Sequence, residues 1–182
     1  MSEGTKIPLE QAKQIAKELI IDFAGGICKK ATVAGSIRRG KEMIGDIEIV
    51  AIANPYETGI FESGLAKVVN QWQKVKGEME YGKTKYTQRI LPSGIKLDLF
   101  LCEENNYGLI LLIRTGSVEF SKYFMGTLLP KKGYKVEGGY LLADGKRIIT
   151  REESDVFYRA GIPYIEPQDR NLDNLIKVCG SH

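Results

Sequence analysis

Residues 35–52 decide the fold of this chain, and they read Gly-Ser-Ile-Arg-Arg-Gly-Lys-Glu-Met-Ile-Gly-Asp-Ile-Glu-Ile-Val-Ala-Ile. The second half, from Asp46 onward, is rich in β-branched residues and predicts a strand. Successive strand side chains point to opposite faces of a sheet, so Asp46 and Glu48 share one face while Ile47 and Ile49 point into the core. The segment therefore predicts a core strand that carries two carboxylates on its other face.

A second alternating segment supplies a third carboxylate. Residues 95–101 read Ile-Lys-Leu-Asp-Leu-Phe-Leu, and their period of two places Lys96 and Asp98 on one face. If the two strands are neighbours, Asp46, Glu48 and Asp98 converge. Carboxylates in such a cluster repel one another unless cations neutralise them, and hard divalent ions that take oxygen ligands suit it best. The expected cofactor is Mg²⁺, with Mn²⁺ as a substitute, and two ions about 3.5–4 Å apart would support phosphoryl transfer.

The Gly35-Ser36 step supplies candidate phosphate ligands. A short strand near 30–35 leads into it, Gly35 permits close backbone approach, and Ser36 is the expected N-cap of a helical turn through Arg39. Free N–H groups at such a turn bind phosphate oxygens, and the guanidinium of Arg38 or Arg39 can meet a triphosphate with bidentate geometry. Alone, a Gly-Ser pair is usually a loop and an Asp-x-Glu is usually a solvated strand edge. Joined with Asp98, they predict a nucleotidyl-transfer site.

These motifs resemble those of the family X DNA polymerases. The resemblance rests on residues 35–50, on 96–100 and on Arg114-Thr115-Gly116-Ser117. Further landmarks in the family's order are Ile7-Pro8, Lys132-Gly133-Tyr134 and residues 162–171. The resemblance implies an α+β fold with a nucleotidyltransferase-type palm of mixed sheet and flanking helices, followed by a small C-terminal subdomain of helices and a β-hairpin.

The resemblance also implies a role for individual residues. Asp46, Glu48 and Asp98 would be the catalytic carboxylates that hold the two ions, and Asp98 would lie nearest the primer 3′-hydroxyl. Lys96 matches a basic position close to the primer strand. The positions that match contacts to the incoming nucleotide are Gly35, Ser36, Arg39, Gly45, Lys6, Thr115, Gly116 and Ser117.

Two departures from the family pattern leave a second hypothesis open. The middle carboxylate is Glu48 where the family usually carries Asp, and the usual aromatic pair before Thr-Gly is replaced by Ile113-Arg114. A nucleotidyltransferase that acts on a small molecule, a protein or an RNA end is therefore the alternative. A structural or DNA-binding module with a degenerate site is a third class, and the intact carboxylates argue against it.

The charge distribution bears on DNA binding. The net charge of +3 over 182 residues is mild for a nucleic-acid binder, so binding would depend on a local patch. Besides Lys96, three residues are assigned as DNA contacts, Lys131, Lys132 and Tyr140. They belong to a basic C-terminal stretch that also contains Lys135, Lys146, Arg147, Arg151 and Tyr134. An ordinary solvated surface is the alternative interpretation of this stretch.

Cysteine and histidine usage restricts the chemistry and the compartment. Cys28, Cys102 and Cys179 have no paired spacing and the single histidine is His182, so zinc or catalytic-thiol chemistry is not expected. The odd cysteine count fits a reducing compartment. Residues 1–6 are not followed by the apolar segment that a signal peptide requires. The longest apolar run, Leu109 to Ile113, is too short to span a bilayer. We expect an intracellular monomer, cytoplasmic or nucleoid-associated, that does not bind membranes.

The pattern along the chain predicts two subdomains, a catalytic palm over 1–104 and a nucleotide- and template-contacting unit over 105–182. The palm is expected to begin with a helix from Pro8 to Gly25-Gly26, because an apolar stripe recurs there at helical spacing, formed by Leu9, Ala12, Ile15, Leu19 and Phe23. It is also expected to contain strands near 30–35, 46–53, 74–80, 84–91 and 94–101, and a helix near 60–72. The second unit is expected to contain helices near 107–113, 117–129 and 151–160 and a hairpin at Ala143-Asp144-Gly145.

The combined prediction is a DNA-directed DNA polymerase that uses dNTPs to extend a primer 3′ end, on a primer–template or gapped duplex, during repair. Because the resemblance begins near residue 6, no room remains upstream for the family's amino-terminal lyase domain. The chain is therefore expected to be a minimal palm-plus-C-terminal polymerase or a catalytic fragment.

Overall fold

The computed structural model describes residues 6–54, 64–79 and 84–180. The chain divides into two compact units, Met1–Cys102 and Glu103–His182. Within the described ranges, no helix is long and apolar enough to cross a membrane. The predicted helix near 60–72 and the predicted strand near 74–80 each extend partly outside these ranges.

The first unit is built on a five-stranded mixed sheet with helices on one face. Its elements are β1 (Ile7–Pro8), α1 (Leu9–Ala24), β2 (Cys28–Val33), α2 (Gly35–Arg38), β3 (Met43–Ile44), β4 (Asp46–Ala53), α3 (Gly64–Val69), β5 (Gln73–Lys76), β6 (Tyr86–Ile90) and β7 (Lys96–Leu101). The spatial order in the sheet is β2-β4-β7-β6-β5, and β1 pairs separately with β3. Only the β4–β7 pairing in this sheet is parallel.

One face of the sheet packs against helix α1 to form the core of the first unit. Ile47 and Ile49 of β4 and Leu97 of β7 have no solvent exposure, and they belong to the same cluster as Leu19 and Phe23 of α1. The apolar stripe that predicted α1 is therefore confirmed as its core-facing side. The α+β class with a mixed sheet is confirmed as well. The opposite face carries the charged residues at the start of β4 and β7 and, further along these strands, the buried apolar residues Val50 and Phe100.

The second unit combines helices with a small antiparallel sheet. Its elements are α4 (Tyr107–Thr115), α5 (Val118–Tyr123), a π-helical turn (Phe124–Leu128), α6 (Leu129–Lys131), β8 (Lys135–Glu137), β9 (Tyr140–Ala143), β10 (Lys146–Ile148), α7 (Glu153–Ala160) and α8 (Leu172–Gly180). Short 3-10 turns occupy Glu104–Asn106 and Pro167–Asp169. Its core contains Leu109, Phe120, Phe124, Leu141 and Phe157.

The second unit contains two elements that the sequence analysis did not predict. The hairpin at 143–145 is present as β9–β10, with Asp144 and Gly145 at positive φ, but β8 adds a third strand beside β9. Helix α8 was missed, although Leu175 is fully buried and residues 172–180 carry apolar side chains at helical spacing. The predicted helix over 117–129 is α5 continued by the π-helical turn and α6.

Candidate active site

The parallel pairing of β4 with β7 brings the candidate carboxylates to one surface. Cα partners across this pairing are Asp46 with Lys96 and Glu48 with Asp98. Paired residues on neighbouring strands share a face, and Ile47, which alternates with these residues, lies on the core face. The two strands that carry the carboxylates, β4 and β7, are therefore neighbours, as the prediction required. Four charged side chains lie on the sheet face opposite the core.

The Asp98 side chain is buried and oriented by two donors from strand β6. Only 7% of Asp98 is exposed. The Tyr86 hydroxyl donates to Asp98 Oδ1 at 2.5 Å, and Gln88 Nε2 donates to the same oxygen at 2.8 Å. Neither donor was predicted from the sequence. The available signal was the alternation of β6, which places Tyr86 and Gln88 on the face shared with Asp98.

Asp46 is in an environment that disfavours its charged form. Burial raises the pKa of the Asp46 carboxyl above its ordinary value of 3.8, and the negative charge of Asp98 raises this pKa further. Lys96 and Arg39 lower the pKa but do not offset these effects. The two carboxylates are therefore close enough to repel each other, and the nearby cationic side chains do not offset burial and this repulsion together.

Gly35 lies directly against the Glu48 side chain. Its φ is +60°, in the left-handed region, and a Cβ atom built at this position would overlap the Glu48 carboxylate. The backbone N–H of Ala34 also donates to the Glu48 carbonyl oxygen at 2.8 Å. Conformation and space both require glycine at position 35. The Gly-Ser step is thereby held against strand β4.

The predicted capping role of Ser36 is wrong. Helix α2 begins at Gly35, its N-cap is Ala34, and no side chain caps it. Ser36 lies inside the helical turn because the N–H groups of Arg38 and Arg39 donate to the carbonyl oxygens of Ala34 and Gly35, so the turn begins one residue earlier than the capping pattern predicted. Arg39 is the C-cap residue of this turn, and its charge acts on Asp46.

The carboxylates share a face but are not arranged as a ligand set. In the described part of the chain, no group of three or more His, Cys, Asp or Glu side chains is placed to hold a metal ion. Asp98 Oδ1 accepts two hydrogen bonds and the Glu48 carboxylate packs against Gly35. The three side chains nevertheless suit a hard divalent cation. Their donor atoms are all carboxylate oxygens, the strand register places them on one face, and a cation would relieve the repulsion at Asp46.

Lys6 and Gly45 flank the same end of strand β4. Ile7 pairs with Ile44 in the antiparallel β1–β3 ribbon, and extending that register by one residue places Lys6 opposite Gly45. Both residues are exposed, and a Cβ at Gly45 would meet no atom within 4 Å. The ribbon thus places the backbone of Lys6 opposite the residue that precedes Asp46.

The Thr-Gly-Ser turn belongs to the second unit and joins α4 to α5. Thr115 is fully buried at the end of α4. The Ser117 Oγ accepts from the Phe120 N–H at 3.2 Å, and the Ser117 N–H donates to the Arg170 carbonyl at 3.0 Å. A Cβ at Gly116 would overlap the Phe120 ring. The turn is rigidly tied to its own unit.

The three candidate DNA contacts differ in exposure. Lys131 and Lys132 are exposed at the end of α6. Tyr140 is only 7% exposed, and the Arg147 guanidinium lies 3.8 Å from the centre of its ring. Core packing and Arg147 therefore cover the ring of Tyr140, which the sequence had suggested as a DNA contact.

Comparison with known proteins agrees with the geometry. Residues 110–171 match the DNA polymerase beta thumb family. Human DNA nucleotidylexotransferase is 26% identical over 92% of this chain and 40% of its own length. Rat DNA polymerase lambda is 27% identical over 91% of this chain and 33% of its own length. The chain thus spans well under half the length of these relatives. The second unit thus matches the DNA polymerase beta thumb family, and nearly the whole chain is similar to proteins named DNA nucleotidylexotransferase and DNA polymerase lambda.

Proposed function

We propose that this chain is a DNA-directed DNA polymerase that transfers a dNMP from a dNTP to a primer 3′-hydroxyl, with gap filling as its role. The observation that carries the proposal is the parallel register of β4 and β7. It gathers Asp46, Glu48 and Asp98 on the sheet face that adjoins the Gly35 turn. The similarity to a protein named DNA polymerase lambda supports the same reaction class.

The carboxylates are the residues that would hold two divalent cations, Mg²⁺ or Mn²⁺. When bound, such ions activate the attacking hydroxyl and neutralise charge on the phosphoryl group in transfer. The protein would supply these ligands from two strands that pair in parallel, β4 and β7. Lys96, the register partner of Asp46, would meet a phosphate of the primer strand.

The residues around α2 would bind the triphosphate. Gly35 and Ser36 present backbone N–H groups, and Arg39 and Lys6 provide positive charge on either side of Asp46. In the second unit, the turn of Thr115, Gly116 and Ser117 would contact the nucleotide sugar. Its hydrogen bonds to Phe120 and Arg170 keep that surface preorganised.

DNA would be held by phosphate contacts from the second unit. Lys131 and Lys132 are exposed and are the strongest candidates, while Lys135 and Arg151 are partly engaged with Glu137 and Glu104 at 2.8 and 3.7 Å. With so few contacts and a net charge of +3, binding should be weak and strongly dependent on salt.

A second candidate function is addition of nucleotides to a 3′ end without a template. It is favoured by the similarity to proteins named DNA nucleotidylexotransferase. The two functions use the same carboxylates and differ in whether the added nucleotide depends on a template base.

One experiment tests both candidates. A labelled primer is supplied alone or in a one-nucleotide-gapped duplex, with each dNTP in turn and with Mg²⁺ or Mn²⁺. Addition only of the complementary nucleotide would support the polymerase, and equal addition of all four to the primer alone would support the template-independent reaction. Asp98→Asn should abolish either activity, whereas Asp22→Asn, on the exposed side of α1, should not. No addition by the wild type would overturn the proposal and direct the search to RNA ends and small-molecule acceptors.

A further inference from the structure

Asp98 is held through one of its two carboxylate oxygens. Oδ1 accepts from the Tyr86 hydroxyl at 2.5 Å and from Gln88 Nε2 at 2.8 Å. A carboxylate oxygen has two lone pairs, so these donors occupy the acceptor capacity of Oδ1. Further hydrogen bonds or a cation would therefore be accepted mainly by the other oxygen of Asp98, Oδ2.

The two donors are themselves fixed by the sheet. Gln88 is the Cα partner of Asp98 across the antiparallel β6–β7 pairing, and Tyr86 is the Cα partner of Phe100. The Tyr86 and Phe100 rings stack with centroids 5.0 Å apart and planes 24° apart. Because the ring is packed in place, its hydroxyl reaches Asp98 without a loop or a mobile segment.

We propose that Tyr86 and Gln88 are positioning residues that bind Oδ1 of Asp98 and leave Oδ2 as the atom that meets the divalent cation or the primer 3′-hydroxyl. The inference rests on the proposed function for the role of Asp98, and on the two hydrogen bonds to Oδ1 for the arrangement. Hydrogen-bond partners of a ligating carboxylate orient it, and their loss typically reduces metal affinity or activity by about 10–100-fold.

Strand β6 offers a matched control for a merely structural role. Thr87 lies between the two donors in sequence and on the opposite face, is fully buried, and donates to the carbonyl oxygens of Lys76 and Gly77, each at 3.0 Å. Thr87→Val removes two hydrogen bonds from β6 and leaves Asp98 untouched. Tyr86→Phe and Gln88→Met remove one donor each and preserve side-chain volume.

The test measures kcat and the KM for dNTP, together with Mn²⁺ binding to the free protein by electron paramagnetic resonance. We expect each single variant to lower kcat and to weaken Mn²⁺ binding by about 10-fold, within the range for such partners. The KM for dNTP should change by less than about twofold, because the triphosphate ligands lie elsewhere. Thr87→Val should lower the unfolding temperature but keep the wild-type kcat and Mn²⁺ affinity at temperatures where it is folded.

A thermal-unfolding cycle provides a readout that needs no substrate. Tyr86→Phe should lower the unfolding temperature when Asp98 is present, and by much less in an Asp98→Ala background. Equal shifts in both backgrounds, or wild-type kcat and Mn²⁺ affinity in the Tyr86→Phe/Gln88→Met double variant, would overturn the inference. If the wild type extends no primer, the proposed polymerase function fails by itself, and Mn²⁺ affinity and the unfolding cycle still decide whether the two donors position Asp98.

Discussion

The α-carbon of Gly35 lies against the Glu48 carboxylate, so closely that any side chain at position 35 would occupy the space of that carboxylate. The contact joins the candidate phosphate-binding turn to a candidate metal ligand. Gly35 also has a φ of +60°, which a residue with a Cβ atom adopts only at a cost.

Gly35→Ala should therefore destabilise the protein and lower primer extension. We expect a loss of about 1–3 kcal/mol in the free energy of unfolding, the range for a strained backbone position, measured by urea denaturation. Gly45→Ala is the stability control, because its added Cβ meets no atom within 4 Å. Equal destabilisation by the two substitutions would contradict the packing argument.

The second prediction concerns the buried ion pair of the second unit. Arg170 is fully buried, and its guanidinium donates to both carboxylate oxygens of Glu153, which is 5% exposed. Arg170 Nε also donates to the Ile165 carbonyl at 2.9 Å. Glu153→Ala would leave a buried charge without its counterion.

We expect Glu153→Ala to cost about 3–5 kcal/mol in the free energy of unfolding. Glu10→Ala, which breaks an exposed pair with Lys13 on α1, should change this free energy by less than about 1 kcal/mol. Chemical denaturation of both variants checks the difference. A small effect at Glu153 would show that water reaches Arg170.

The third prediction follows from the raised pKa of Asp46. A raised folded-state pKa means that the native protein binds a proton more tightly than the unfolded chain does. Stability should therefore fall as pH rises from 3.8, the ordinary value, through the raised native pKa. Above the raised native pKa, the ionised Asp46 carboxylate destabilises the native state. Below pH 3.8 the carboxyl is mainly protonated in both states, so it has no such effect.

Asp46→Asn should accordingly raise the unfolding temperature at neutral pH and give no such gain below pH 3.8. Mg²⁺ should raise the unfolding temperature of the wild type more than that of the variant, because the cation relieves the same repulsion. Thermal scans over pH, with Asp22→Asn as the control for the amide substitution, provide the measurement. A gain that is independent of pH would rule out the charge as its cause.

The fourth prediction concerns DNA binding by the second unit. Replacing both Lys131 and Lys132 by Gln should weaken binding to duplexes of any sequence. Each lost phosphate contact should also reduce the slope of log affinity against log salt concentration by about 0.9. Lys17→Gln, on the exposed side of α1, should leave that slope unchanged. Fluorescence anisotropy at several salt concentrations checks this, and an unaltered slope in the double variant would exclude the two lysines as phosphate ligands.

Local periodicity in the sequence was sufficient to predict which residues share a face. The alternation in residues 46–52 and 95–101 separates the carboxylates from Ile47 and Leu97 because strand geometry imposes a period of two. The apolar stripe of α1 follows in the same way from the 3.6-residue period of a helix. These properties depend only on neighbours along the chain, so the sequence by itself determined them.

The tertiary structure alone decided what each of these side chains touches. The register that sets Glu48 beside Asp98 joins strands about fifty residues apart, and the donors to Asp98 come from a third strand. The burial of Tyr140 under Arg147 and the contact of Gly35 with Glu48 likewise depend on distant parts of each unit. Such contacts result from the packing of whole elements, which fixes register, rotamers and solvent access together, and no local pattern along the chain contains that information.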